Sequence, residues 1–193
     1  MTGQWQAVSP GSRLRSFRLP LRSGGARDND PPMTTWRPHP RIRVVAIGLH
    51  WRDGRLLAAE VRDDAGRLRG VRPLGGEIEF GESWQVALMR EFDEELGIEI
   101  AITSAPLMLE NIFVHEGSTG HEVIFLAEVA FPEGAFAGQD RIDFREDNGE
   151  EIVARWFDLA ELDVDGGPQL YPTGLKELLL GRNVSSPSSP RNR

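Results

Sequence analysis

The segment from Trp84 to Leu96 (WQVALMREFDEEL) constrains this chain more than any other, because its periodicity is helical while its charge opposes a helix. At 100° per residue Trp84, Leu88, Phe92 and Leu96 align in one apolar stripe. Ser83 stands where an N-cap is needed and Gly97 where the helix should end, a span of about 14 residues. The same geometry sets Glu91 and Glu95 at the margin of the stripe beside Ala87, with Glu94 one step further round. Glu91 and Glu95 are a like-charge i,i+4 pair, and with Asp93 and Glu94 they crowd negative charge at the negative end of the helix dipole. A bound cation would turn that conflict into a site; a solvated acidic helix end is the alternative that the helix alone leaves open. Hard divalent ions such as Mg2+ and Mn2+ take oxygen ligands and share them with substrate phosphates, which suits carboxylates at i, i+3 and i+4 facing a cleft.

Around this helix the pattern is mostly that of strands. Arg41 to His50 and Arg55 to Val61 flank Asp53-Gly54, which predicts a hairpin of two antiparallel strands. Short strands are expected at Arg67 to Arg72 and Glu77 to Phe80, separated by Pro73 and Gly75-Gly76. Longer ones are expected at Leu107 to His115 and Glu122 to Ala130, around a Gly-Ser-Thr-Gly turn. An acidic loop from Gly134 to Gly149 and a strand at Ile152 to Phe157 follow, then helical candidates at Leu159 to Leu162 and Leu175 to Leu180. Strands around one central helix with another helix at the end favour a mixed sheet with helices on its faces over a parallel doubly wound sheet.

The ends read differently. Residues 1–40 hold six Pro and four Gly with no sustained period, so they are expected to be a disordered extension, or to precede a true start at Met33. Up to Arg27 the segment has five Arg and no acid, superficially like a transit peptide, but Gly and Pro interrupt any amphipathic helix. Residues 182–193 are expected to form a disordered polar tail, leaving one domain over 41–181. The formal net charge of −8 hides about −15 on 41–181, a surface that repels phosphate backbones and argues against a duplex nucleic acid partner. No run approaches 18 apolar residues, and residues 1–30 lack the apolar core of a secretory signal, so no membrane partner and a cytoplasmic location are expected. The absence of cysteine excludes disulfides, cysteine-bound zinc and thiol catalysis.

From Gly76 to Ile98 the chain reads G-x5-E-x7-R-E-U-x-E-E-x-G-U, where U is apolar: Gly76, Glu82, Arg90, Glu91, Glu94, Glu95 and Gly97 occupy every fixed position, and Phe92 fills an apolar slot where an aliphatic residue is more usual. Seven such residues coincide by chance about once in 10^8 windows. This segment resembles the Nudix box, and the strand pattern over 41–181 is similar to the Nudix domain. The resemblance implies an α/β fold, a Nudix-like α/β/α sandwich with a mixed β-sheet. It also implies a pyrophosphatase that uses Mg2+ or Mn2+ to hydrolyse a diphosphate bond in a nucleoside diphosphate linked to another moiety.

Under that resemblance Glu91, Glu94 and Glu95 are metal ligands, joined by the backbone carbonyl of Gly75, where two glycines let the backbone approach an ion closely. Arg90 is expected to orient Glu82 or a ligand carboxylate rather than touch substrate. The general base stays open: Glu151, then Glu150, precede Trp156-Phe157 as family members place a loop carboxylate, while Glu91 itself and Glu122 are alternatives, Glu122 otherwise being a solvated strand-end acid. Arg72 is a phosphate contact or a surface charge, and Trp51 a base-stacking or a packing residue. Neither the proline typical of ADP-ribose hydrolases nor the tyrosine of diadenosine polyphosphate hydrolases follows the box, where Phe113, Val114, His115 and Glu116 stand. The expected partner is a small nucleotide substrate, and a homodimer is compatible with the pattern. Two rivals differ in class. An isoprenoid-type diphosphate isomerase needs a cysteine that this chain lacks, and a catalytically silent Nudix-like binding or sensor module would commonly lose box carboxylates that are intact here.

Overall fold

The computed structural model describes residues 37–63, 65–145, 149 and 151–184; residues 1–36 of the expected extension and 185–193 of the expected tail lie outside them, while residues 182–184, expected in the tail, end the last helix. In chain order the strands are β1 (Ile42–Leu49), β2 (Trp51–Arg52), β3 (Arg55–Arg62), β4 (Leu68–Arg72) and β5 (Gly75–Glu77), followed by helix α1 (Trp84–Leu96). Then come β6 (Ala101–Ile102), β7 (Leu107–His115), β8 (Ser118–Ala130), β9 (Arg141–Arg145), β10 (Glu151–Phe157), a single 3-10 turn at Leu159–Glu161, β11 (Gln169–Leu170) and α2 (Leu175–Val184).

The strands form two mixed sheets. In the first the order is β5-β1-β8-β6, with β7 also on β8; β1 and β8 run parallel and the other pairs antiparallel. In the second the order is β11-β4-β3-β10-β9, with β2 on β3, and only β11 and β4 are parallel. Strand β1 is buried on both faces, and its alternation sorts two cores. Val45, Ile47 and Leu49 join Leu56, Ile124, Leu126 and the α2 residues Leu175 and Leu179, whereas Ala46 joins Leu57, Ala127, Trp156 and the α1 residues Ala87, Leu88 and Phe92. The two helices thus belong to opposite cores, which is the α/β/α arrangement expected.

Helix α1 begins and ends where its caps are written. Ser83 accepts from the Val86 N–H, and Gly97, at φ 66°, turns its N–H back to the Asp93 carbonyl. Four expectations need correction. Strand β1 does not pair with the strand after Asp53-Gly54; only Trp51 and Arg52 close that hairpin onto β3, and β1 lies in the other sheet. The break falls at His50, whose ring stacks on Phe131 at 3.7 Å while its carbonyl accepts from Leu57 N–H. The acidic loop contains β9, an edge strand whose Ile142 and Phe144 point inward between Arg141, Asp143 and Arg145. The strand expected at Glu77 to Phe80 lies earlier, at β5, and the turn after β7 is Glu116-Gly117 instead of the Gly-Ser-Thr-Gly run. Among the described residues no helix is long and apolar enough to cross a membrane.

Helix α1 reaches the sheet through Phe92, which is fully buried over Gly48 of β1. A Cβ at position 48 would meet Phe92 Cε2 at 2.7 Å and Val129 Cγ2 at 3.1 Å. Gly48→Ala should therefore destabilise the domain by about 1–3 kcal/mol through overpacking, read as a lower urea midpoint; an unchanged midpoint would show that the ring moves aside freely.

Candidate active site

Pro73 and Leu74 lead from β4 into β5, and the two glycines that begin β5 are required there for different reasons. Gly75 has φ 133°, and a Cβ on it would fall on the backbone of Ala46 in β1. A Cβ on Gly76 would fall on the Glu91 carboxylate, so the absence of a side chain at 76 is what admits Glu91 to this edge. Glu91 and Glu95, one turn apart on α1, share this edge and line a cavity of about 380 Å3 with both glycines. Glu95 Oε2 is shielded from solvent.

Arg90 holds the acidic surroundings together. Its Nε and Nη2 donate to the two oxygens of Glu82 at 3.0 and 3.2 Å, its Nη1 donates to Glu91 Oε1 at 2.9 Å and Glu94 Oε2 at 2.8 Å, and Nη2 also reaches the Glu77 carbonyl at 3.1 Å. A guanidinium has five N–H donors, so each has an acceptor here. All five are engaged within the protein, which leaves Arg90 no donor for a substrate. Its hydrogen bonds, that to Glu82 first, push its pKa further above the ordinary range, and in return the Glu82 carboxyl is held below its usual value by Arg90 and by the Glu79 N–H.

The cavity runs from this acidic edge between the two sheets. Arg43 of β1 and Arg72 of β4 both donate to Glu122 Oε1, at 3.1 and 3.4 Å. Glu122 is 2% exposed, so the expectation of a solvated strand-end acid is overturned: its register on β8, opposite Arg43, turns it inward, where two guanidiniums offset its desolvation. Arg72 lines the cavity, as do Phe113, His115 and Tyr171. Burial raises the Tyr171 phenol above its usual pKa.

Other candidate residues stand elsewhere. Arg90 and Glu94 do not line the cavity, and Glu94 is 46% exposed and turned to Arg90. Glu151, 79% exposed, pairs with Arg145 at 2.7 Å outside the cavity, and Glu150 lies outside the described residues. Trp51 is committed to packing and to Glu128, to which its Nε1 donates at 2.8 Å. His121 pairs with Glu110 at 3.0 Å. Asn111, buried and on the cavity wall, was not singled out by the sequence, and its only signal there is an amide that interrupts the inward apolar series Leu107, Leu109.

The donors suit a hard divalent ion in kind: two carboxylates one turn apart, beside backbone that has no Cβ to keep an ion away. Among the described residues no three acidic or histidine side chains are gathered closely enough to hold one, because Arg90 draws Glu94 off. Glu91, Glu95 and the Gly75 backbone share this edge, while Glu94 is held by Arg90.

The Glu82–Arg90 pair is mostly buried, with side chains 12% and 25% exposed. Because Arg90 depresses the Glu82 pKa, the stabilisation is complete above the ordinary value of 4.5 and is lost as pH falls through the lower folded value. Glu82→Gln should lower the unfolding free energy by about 1–2 kcal/mol at neutral pH, and by much less near pH 3. Denaturant titrations at the two pH values check this; an equal loss at both would mean that the charge is not what Arg90 reads.

The family model described as NUDIX domain matches residues 39–177. No curated protein matches the chain. Among solved structures, the E. coli ORF135 protein is 22% identical, with a TM-score of 0.53 over 77% of this chain and 95% of its own. The MutT NUDIX hydrolase from Burkholderia pseudomallei is 26% identical, with a TM-score of 0.46 over 70% of this chain and 95% of its own. An ADP-ribose pyrophosphatase from Streptococcus suis is 17% identical, with a TM-score of 0.45 over 76% and 94%. With the box complete, its helix capped as written and the family's domain spanning nearly all of the described residues, the chain belongs to the Nudix family.

Proposed function

We propose that the protein is a metal-dependent pyrophosphatase that hydrolyses the diphosphate bond of a small nucleotide, a nucleoside diphosphate linked to another moiety. The observation that carries the reading is one cavity in which Glu91, Glu95 and the Gly75-Gly76 edge stand at the acidic end while Arg72 and Arg43 line the wall beyond. A diphosphate repels a nucleophile through its own negative oxygens, so the catalyst must offset charge and align water. Bound Mg2+ or Mn2+ would supply charge neutralisation and a more acidic water. Glu95, Glu91 and the Gly75 carbonyl would hold it, with Glu94 completing the set. Arg72, whose contact to Glu122 is long, turns its remaining donors to a phosphate. The proton of the attacking water goes to Glu91, on the cavity wall at the acidic edge, in preference to the exposed Glu151 and to Glu122, whose Oε1 is held by Arg43 and Arg72. Arg90 fixes the Glu91 carboxylate through Oε1 and so positions it without touching substrate. The intact set of box carboxylates favours catalysis over a silent binding module.

A panel of nucleoside triphosphates, nucleotide sugars, ADP-ribose, NADH and dinucleoside polyphosphates, assayed for released phosphate products with Mg2+ and Mn2+, tests the reading. At least one compound should be hydrolysed, and Glu95→Gln should reduce its turnover by about a hundredfold or more. Full turnover in EDTA, or no hydrolysis across the panel, would contradict it.

A further inference from the structure

Glu122 has no part in the proposed chemistry, yet it is a buried acid on the wall of the cavity. On β8 it precedes Ile124 and Leu126 on the face that packs into the first core. An apolar residue there would continue that series and avoid the cost of desolvating a carboxylate. The two side chains that hold Glu122 come from different sheets. Arg43 stands opposite it in the parallel register of β1 and β8, and Arg72 reaches it from β4 of the second sheet. Both donate to the same oxygen, Oε1. One carboxylate thus ties two guanidiniums, which alone would repel each other, to the same stretch of wall.

The two arginines differ in how they are held. Arg43 is a strut: its Nε donates to Glu77 at 3.1 Å while its Nη1 donates to Glu122, so its guanidinium is spanned between two carboxylates. Arg72 is held at one point. Its Nη2 contact to Glu122 is the one polar contact of its side chain among the described residues, and its other donors have no protein acceptor there. Yet the Arg72 side chain is only 26% exposed and lines the cavity. A guanidinium so placed is a fork for an anion, and anchoring it removes rotamer freedom before the anion arrives. We infer that Glu122 is a positioning residue: through Oε1, itself fixed by Arg43, it aims the Arg72 guanidinium at a phosphate of the substrate. A mere counter-charge would act in the opposite sense. A carboxylate beside an anion opposes it, so removing one that served only to balance the arginines would strengthen anion binding.

The inference rests on the reading of Arg72 as a phosphate contact, and a cycle of substitutions tests the two separately. The probe is methylenediphosphonate, a diphosphate analogue whose P–C–P link resists hydrolysis, titrated into the full chain in metal-free buffer and followed by 1H–15N spectra. The Arg72 Nε–H signal, identified by its absence in Arg72→Met, should move with the probe. Glu122→Gln removes a negative charge beside the anion and should nevertheless weaken binding by about tenfold. Glu122→Asp keeps the charge but draws the carboxylate back by one methylene, and should weaken binding likewise. In Arg72→Met neither substitution should weaken the affinity that remains. Tighter binding by Glu122→Gln, unchanged binding by Glu122→Asp, or equal losses with and without Arg72 would each overturn the inference. A measurement on the free wild type needs no Glu122 variant to fold: the Arg72 Nε–H should already be ordered, with an order parameter above about 0.6, and a flexible side chain would overturn the inference. If wild type does not bind the probe, or Arg72→Met binds it equally well, the phosphate reading of Arg72 fails and the inference with it. An intact cycle in a protein that hydrolyses nothing would remove the enzymatic reading and leave the positioning role standing.

Discussion

The guanidinium of Arg90 is the interaction on which the acidic end of helix α1 depends. Glu91, Asp93, Glu94 and Glu95 lie against the negative end of the helix dipole, and Glu91 also faces the β5 edge. Without a cation this helix would repel itself. One arginine answers three carboxylates and a backbone carbonyl at once, and because Glu82 lies in the loop before the helix, the same group ties the entry of α1 to its second and third turns. The metal-free fold thus carries its own internal counter-charge. That arrangement also explains why Glu94 stands apart from the cavity: it is held by Arg90, and an ion would have to compete for it.

The second constraint is backbone space. Strand β5 antiparallel to β1 brings Gly75 against Ala46, and α1 brings Glu91 against Gly76; neither approach tolerates a side chain. The two sheets, filled by apolar side chains on both faces of β1, leave a cavity between them where those side chains give way to Arg43, Arg72, Asn111 and Glu122. A fold built of two packed cores thereby sets carboxylates at one end of a substrate-sized space and guanidiniums along its wall. The proposed diphosphate chemistry rests on that layout.

Much of this was legible in the sequence because local rules carried it. Ser83 and Gly97 mark the helix to the residue, Asp53-Gly54 marks a turn, and the spacing of the box residues places the carboxylates on one helix face. What escaped was non-local. The Asp53-Gly54 turn is real, yet its strong hairpin signal says nothing of the break at His50, which depends on Phe131 some eighty residues away. Strand β9 hides because an edge strand with Arg141, Asp143 and Arg145 outward has the composition of a loop. Glu122 reads as a surface acid until β1 supplies Arg43 and β4 supplies Arg72, and Asn111 draws no reading until the cavity in front of it is seen. The helix carried a site signal because its conflict was internal; the cavity wall carried none because its residues come from separate strands.

The central claim is that the acidic edge formed by Gly75, Gly76, Glu91 and Glu95 holds a divalent ion, and melting curves test it without knowledge of the substrate. Anything that binds the folded state alone raises its melting temperature with occupancy. Wild type and Glu95→Gln should be compared in EDTA and in several millimolar Mn2+ (about 5 mM). The account predicts a clear rise for wild type and the loss of most of that rise in Glu95→Gln. Equal shifts in the two proteins, or none in wild type, would contradict it.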